Sequence, residues 1–587
     1  MQFTPRPGSV HALVALFLAA CSSSLASTPN VDDFFEEATP LHGSLHRLEG
    51  SLEGSSSELH GSCADSSGRE HVYRVTVPAD GIVRLALRSS APLLHVRGDL
   101  HEPATELACA AEVDALTRSA EVYLGVHAGD TFYVVVDTLE DAEPEFRLDL
   151  EMRPAFPAFA PLSGVYGSRG YGLVLGVAAD EFAVFEVSSL HCIPAFAGPP
   201  AELARIVEAL APGPEPGTLV VTPRWAAGTI VFDALDEVPP LCADGGTPTI
   251  ESASYERDAL AIFDVFVATF REHYAFFTAR GVDWEAQAAA ARGELARGSS
   301  DADLWAVLTG LAAPLADGHV SLESPLAVFE SKPQEIATAL AAEHAELGGP
   351  ESERADYVHE QQKRFLAVTD ATLLTPPVTY ERLLVHGRVA PDVGYLRARH
   401  FVVPKVELPL YLAAIDAALA ELADTDRIVL DLRLNGGGSD LAAIALASRF
   451  VSERRVFATK RARAGDGLAP ENELVVESAG AGYAGDVLVL TGGSTASAGE
   501  IFVLALRGLP HVTVVGWPTS GEFSDILERR LPNGWSFGLS NEIYRAADGM
   551  VYEALGIPPD VALAGDPYPR ADRIDGIDRV LLQAAAL

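Results

Sequence analysis

The stretch TGGSTASAGEIF, residues 491–502, places Ser494, Thr495 and Ser497 within four positions. An alcohol becomes a nucleophile when a base takes its proton and when fixed donors await the oxyanion that its attack creates. The flanking pattern offers the donors. DVLVL reads as a buried strand and STASAGEIFVLALRGL as a turn and helix, so the hydroxyls fall where a strand becomes a helix. There the first backbone N–H groups of the helix point outward, unpaired and partly positive. A second loop, NGGGSD, breaks the apolar run RIVLDLRL. Its glycines carry no Cβ, which lets backbone N–H groups approach a carbonyl closely. Either loop alone is also what an ordinary helix cap or corner would look like.

The elements that must hold these loops alternate. From residue 392 the order is strand (VGYLRARHF), amphipathic helix (YLAAIDAALAELA), strand (RIVLDLRL), helix (LAAIALASRFV), strand (DVLVL), helix and strand (VTVVG). Such alternation predicts an α/β layer, with its site at the carboxyl ends of the strands. Upstream, ALAIFDVFVATFREHYAFF and DADLWAVLTGLAAPLA carry apolar residues at helical spacing, so 253–325 reads as a helical segment. Residues 326–390 read as a helical insertion or lid, and 391–587 as the α/β core. Further towards the N-terminus the period is two. HVYRVTVPADGIVRLALR and DTFYVVVDTLEDAEPEFRLDLEM predict a β-sandwich module over 41–153, and SGVYGSRGYGLVLGVAADEFAVFEV a small β domain over 154–245.

Together, DLRLNGGG (431–438), GGSTASAGEIF (492–502), VVGWPTSG (514–521) and GIPPD (556–560) resemble, in order and spacing, the tail-specific or C-terminal processing serine proteases, peptidase family S41. The resemblance covers about 255–570. It implies a multidomain fold with N-terminal all-β modules, a helical segment and a crotonase-like (ClpP/crotonase) α/β protease core. It also implies Ser497, in the S-A-x-E stretch, as nucleophile. The lysine that one branch of the family uses, in a T-x-G-K turn, is Glu522 here, and no lysine follows Lys460, which excludes that dyad. The tricorn-like branch uses histidine, and the D-G-H turn of LADGHVSLES supplies His319 as general base. YEALGIPPD supplies Glu553 to orient it. Backbone N–H groups of Ala498 and of Gly436 or Gly437 would form the oxyanion hole. His386, His400 and His511 are the alternative bases. In the tricorn-like branch a serine precedes the histidine, where this chain has Gly318, so the link to Glu553 is direct or runs through Asp317, Ser321 or water. Glu522 is a further candidate neighbour of the site. No PDZ-like carboxylate loop occurs in 325–390. Two other readings use the same residues: a serine esterase, or a catalytically inactive binding module.

Composition bounds the rest. With 82 acidic and 42 basic residues the net charge is −40, and no Lys/Arg cluster exists to hold a phosphate backbone, which argues against nucleic-acid binding. The N-terminus reads as a lipoprotein signal peptide over 1–21, with apolar ALVALFLAA and a lipobox LAAC ending at Cys21. A Ser/Thr/Pro-rich tether follows over 22–40. This predicts an exported protein, in periplasm or at the cell surface, held to a bacterial membrane by a lipid anchor and acting on polypeptides. The remaining Cys63, Cys109, Cys192 and Cys242 suggest disulfides in an oxidising compartment, preferably Cys63–Cys109 and Cys192–Cys242, each within one β module. No C-x-x-C or Cys/His grouping predicts a metal, and no cofactor is expected.

Overall fold

The computed structural model describes residues 45–587 except 54–58, 60–61, 64–69, 101, 112–118, 139–143, 158, 225, 381–382, 404–407 and 481. The signal peptide, Cys21 and the tether lie outside the described residues. Among those described, no helix is long and apolar enough to cross a membrane.

Period-two patterning builds two four-stranded antiparallel sheets. One runs in the order Leu45–Ser51, Glu145–Arg153, Gly81–Arg88, Ala120–Val126, the other Glu70–Thr76, Thr131–Thr138, Pro92–Arg97, Glu106–Ala110. Alternate residues of both, among them Val83, Leu85, Val134 and Val136, meet in one buried cluster, as the inward faces of a sandwich do. A seven-stranded antiparallel sheet follows, in the order Cys192–Gly198, Phe182–Val187, Leu173–Val177, Gly164–Ser168, Ile230–Leu235, Thr218–Pro223, Val207–Pro212. The disulfides are Cys63–Cys109 and Cys192–Cys242. Arginines join the two modules: Arg224 Nη2 reaches Glu151 Oε2 at 3.0 Å, and Arg153 Nη1 donates to the Ala204 carbonyl at 2.6 Å.

The α/β core is built on a seven-stranded sheet ordered Val378–Tyr380, Leu384–Ala390, Val393–Ala398, Arg427–Asp431, Asp486–Thr491, Val512–Gly516, Val561–Ala562. Pairing is parallel from Val393–Ala398 onward and antiparallel before it. This moves the start of the core. The segment 326–390 is not wholly helical, because its last two strands belong to the core sheet. Nor is it built as a free lid. Its helices Glu335–Glu346 and Arg354–Thr372 pack on one another and onto the C-terminal helices. Arg573 pairs with Glu343, and Thr369 Oγ1 donates to Asp578 Oδ2 at 2.8 Å.

The helical segment is likewise not separate from the core. Its strand Ser321–Glu323 lies between Val328–Glu330 and Ser536–Ser540, and Ile526–Arg530 completes that antiparallel sheet. Above it the helix Ala259–His273 starts at Asp258, whose carboxylate accepts from the N–H groups of Leu260 and Ala261 at 3.0 and 3.3 Å. The helix buries Phe266 and Phe270 against Trp284 and Phe537, with the Phe270 and Phe537 rings stacked at 5.8 Å. Each such ring contributes roughly 1.5–3 kcal/mol by burial, so the turn that follows these helices is firmly seated.

Where the seven-stranded β sheet meets this assembly, His191 and His273 are buried beside Arg529. Burial, then the Arg529 charge, pushes them down to about 4 and about 3. Unfolded, each titrates near 6.5, so the unfolded chain binds more protons below that pH. Their contribution is complete above about pH 6.5 and shrinks as acid is added, costing about 3 kcal/mol for each by about pH 4. Thermal midpoints are expected to fall across that window, and His273→Gln should make the fall shallower. An identical slope in the variant would contradict the assignment.

Candidate active site

The serine helix Ala498–Leu506 is buried along its whole length, which leaves its N-terminal turn little freedom. The turn itself is stitched to its neighbours. Thr495 Oγ1 donates to the Leu432 carbonyl at 2.8 Å, Ala496 N to Asn435 O at 3.0 Å, and Ser497 N to Glu522 O at 2.9 Å. Ser494 Oγ accepts from Ile336 N at 3.0 Å. Ser494 and Thr495 are buried and their hydroxyls engaged. Ser497 is half-buried, and its hydroxyl enters no hydrogen bond among the described residues. Of the three candidates, it alone offers a free oxygen.

Ser497 has φ 54° and ψ −127°, a conformation that side chains other than glycine rarely take. Only three described non-glycine residues have positive φ: Ala316, Ser497 and Ala554. Ala316 precedes Asp317 in the D-G-H turn and Ala554 follows Glu553. Backbone strain, costing about 1–3 kcal/mol at each point, thus falls on Ser497 itself, beside Glu553 and in the turn that carries His319.

The glycine loop meets the serine directly. A Cβ on Gly437 would lie 2.5 Å from Ser497 Cβ and 3.0 Å from Ala498 N, so only glycine permits the approach. The loop also corrects one expectation. Gly437 N–H is already taken, donating to Asn435 Oδ1 at 2.9 Å. The N–H groups of Gly436 and Ala498 enter none of the described hydrogen bonds, so they are the two donors left for an oxyanion.

His319 is 7% exposed, and its Nδ1 is buried without a hydrogen-bond partner. Its turn is held by Asp317, which accepts from His319 N at 3.0 Å, Tyr274 Oη at 2.9 Å and Ser540 Oγ at 3.2 Å. Glu553 does not hydrogen-bond His319. One carboxylate oxygen accepts from Arg280 Nη2 and the other from Phe523 N, each at 2.8 Å. Arg280 Nε lies 3.5 Å from Asp317. Of the links left open by the sequence, the direct one is absent from these hydrogen bonds; the path through Asp317 is present, by way of Arg280, and ends on the backbone N–H of His319. Burial, with Asp317 nearby, pushes Glu553 up to about 8. Ser321 lies in the strand after the turn, its Oγ against Gly538.

Gly318 has a spatial reason. Any Cβ there would collide with the Glu522 carboxylate, so the side chain at 522 fills the space a relay serine would need. Glu522 thereby touches both halves of the site: its carbonyl holds Ser497 N, and its carboxylate packs on the residue before His319. Lys332 was not singled out from sequence. Its Nζ lies 2.7 Å from Glu522 Oε1 and donates to Ser520 O and Oγ at 2.7 and 2.9 Å. Three acceptors thus surround the Lys332 amine, and Glu522 is its ion-pair partner. The signal available was slight: Glu522 in the lysine position of the T-x-G-K turn, in a chain with four lysines.

Glu500 ties the serine helix to the same loop, accepting from Thr519 Oγ1 at 2.5 Å, Gly521 N at 2.8 Å and Glu522 N at 2.7 Å. Burial raises it to about 7 against the pull of these donors. The alternative histidines are engaged elsewhere. His386 meets Glu421 at 3.0 Å, His511 meets the Phe450 carbonyl at 2.9 Å, and His400 Nδ1 accepts from Val402 N at 3.3 Å.

Residues 392–563 match the model of peptidase family S41. The carboxy-terminal-processing protease of Bartonella bacilliformis is 27% identical over 206 residues, 34% of this chain and 44% of that protein; the chain thus spans under half the length of this curated relative. Among solved structures, a candidate peptidase from Parabacteroides merdae is 24% identical, over 56% of this chain and 96% of that one, with a TM-score of 0.46. The photosystem II D1 C-terminal processing protease is 16% identical, over 55% and 97%, with a TM-score of 0.34.

Proposed function

With residues 392–563 matching the model of peptidase family S41, we propose that this chain is a serine peptidase that cleaves polypeptides through an acyl-enzyme at Ser497. The observation that carries the reading is the state of that serine: a free hydroxyl on a strained turn, pressed against a glycine loop and beside an unused helix N–H. Ser497 Oγ attacks the carbonyl as His319 takes its proton. The oxyanion is received by Gly436 and Ala498 N–H, which need no reorganisation. His319 then returns the proton to the leaving amine, and water attacks the ester in a second cycle. Asp317 holds the histidine turn, and Glu553, through Arg280, holds Asp317. Both are positioning residues. The core is read as a crotonase-like α/β fold. The chain as a whole is read as an exported lipoprotein anchored at Cys21, with the β modules between anchor and catalytic unit.

A fluorophosphonate probe tests the chemistry. Labelling is expected at Ser497 of the wild-type protein, and His319→Ala should slow it by about 100-fold or more, the usual scale for a general base. Folded wild-type protein that takes no label would favour a non-catalytic binding module. Equal labelling of the two would reject His319.

A further inference from the structure

One short strap, Lys332–Ile336, crosses the site and is pinned to the loops that compose it. Lys332 holds Ser520 and Glu522, Glu335 Oε2 accepts from Gly493 N at 2.9 Å, and Ile336 N donates to Ser494 Oγ at 3.0 Å. Between these anchors Gln334 is exposed. It stands at the N-cap of the helix Glu335–Glu346, yet its side chain makes no capping bond. The carboxamide instead lies over Gly436, so closely that a Cβ at 436 would collide with Nε2. The side chain enters no hydrogen bond among the described residues.

We propose that Gln334 is a specificity-determining residue that binds a peptide unit of an extended polypeptide lying between the strap and the Gly436 loop; the proposal rests on the peptidase reading above. A primary carboxamide carries one acceptor and two donors in a plane. It is complementary to the C=O and N–H edge of a neutral peptide bond, whereas a site built for a carboxylate favours a cation. Its placement is inherited from anchored neighbours, Lys332 and Glu335 through their side chains and Ile336 through its N–H, which is how a contact group is held to useful precision. Because Gly436 is one of the two open oxyanion donors, a peptide held by Gln334 lies alongside the scissile carbonyl. A small ester or a fluorophosphonate has no second peptide unit to offer and gains nothing from this residue.

The test compares substrates on one set of proteins. Gln334→Ala and the near-isosteric Gln334→Leu are expected to lower kcat/KM on an unfolded casein substrate about tenfold, the loss of roughly one net hydrogen bond. Fluorophosphonate labelling and hydrolysis of a short-chain p-nitrophenyl ester should stay within twofold of wild type. Unchanged casein cleavage in both variants, with normal labelling, would overturn the role of Gln334 and leave the peptidase reading intact. Equal loss on casein, ester and probe would make the residue part of the strap's scaffold and also overturn it. A wild-type protein that neither labels nor cleaves would fail the peptidase reading itself.

Discussion

Ser497→Ala is expected to remove the proposed turnover, by about 10⁴-fold or more in kcat on any substrate the wild-type protein cleaves, while the thermal midpoint holds or rises. The first half follows from chemistry. No other described hydroxyl at the turn is free, since Ser494 and Thr495 are committed to Ile336 and Leu432, and loss of a nucleophile leaves only what binding and the oxyanion hole supply. The second half follows from the backbone. Oγ makes no hydrogen bond that alanine would forfeit, and the positive φ of 54° is imposed whichever residue is present. Ser497→Gly should go further and stabilise the fold, because glycine takes that conformation without strain. Denaturation and steady-state kinetics on the three proteins check both halves. Residual activity of the alanine variant near wild type would displace Ser497 from its role.

Arg433→Leu should cost about 3–5 kcal/mol of stability, the scale of a broken buried ion pair. Arg433 is fully buried in the turn between the strand Arg427–Asp431 and the glycine loop. It reaches Asp431 at 3.0 and 2.7 Å and Asp578 at 3.1 and 2.7 Å, and lies 4.9 Å from the Phe365 ring. Leucine fills part of the volume but leaves two carboxylates without their cation. Burial would raise Asp578, yet Arg433 holds it below its ordinary value. That contribution is present above the unfolded carboxylate range and lost as pH falls through the folded value. The gap between wild type and variant in urea midpoint is therefore expected to be widest near neutrality and to narrow in acid, where protonation relieves the variant. A gap that does not vary with pH would assign the loss to packing alone.

The parts of this site that lie on long periodic elements were legible in the sequence. The strand DVLVL, the apolar helix after Ser497 and the glycine break after RIVLDLRL each announce themselves by local pattern, and S41 motifs select among the three hydroxyls. The parts that depend on distant partners were not. Glu553 occupies the expected loop, but its carboxylate is claimed by Arg280, 273 residues away, and nothing in either stretch signals that pairing. Lys332 and Glu522 sit 190 positions apart in the numbering and meet through short irregular segments, where neither a period of two nor one of 3.6 can register. The strand Ser321–Glu323 has three residues, too few to alternate visibly, so the sheet that joins the helical segment to the core could not be read. The helical insertion or lid expected over 326–390 was incompletely read for a related reason: its charged helices look solvated in sequence, whereas here Glu343 and Arg573 face each other.

That three-residue strand has a consequence for when the histidine turn can take its final shape. The histidine turn is completed by a strand whose partner is Ser536–Ser540, made by the ribosome more than 200 residues later. Until that late segment arrives, the contacts of Lys332 and Ile336 with Ser520, Glu522 and Ser494 can form, but the strand that follows His319 lacks this partner and Asp317 lacks the Ser540 hydroxyl. Order of synthesis alone therefore places the final seating of the histidine turn near the end of the chain's production.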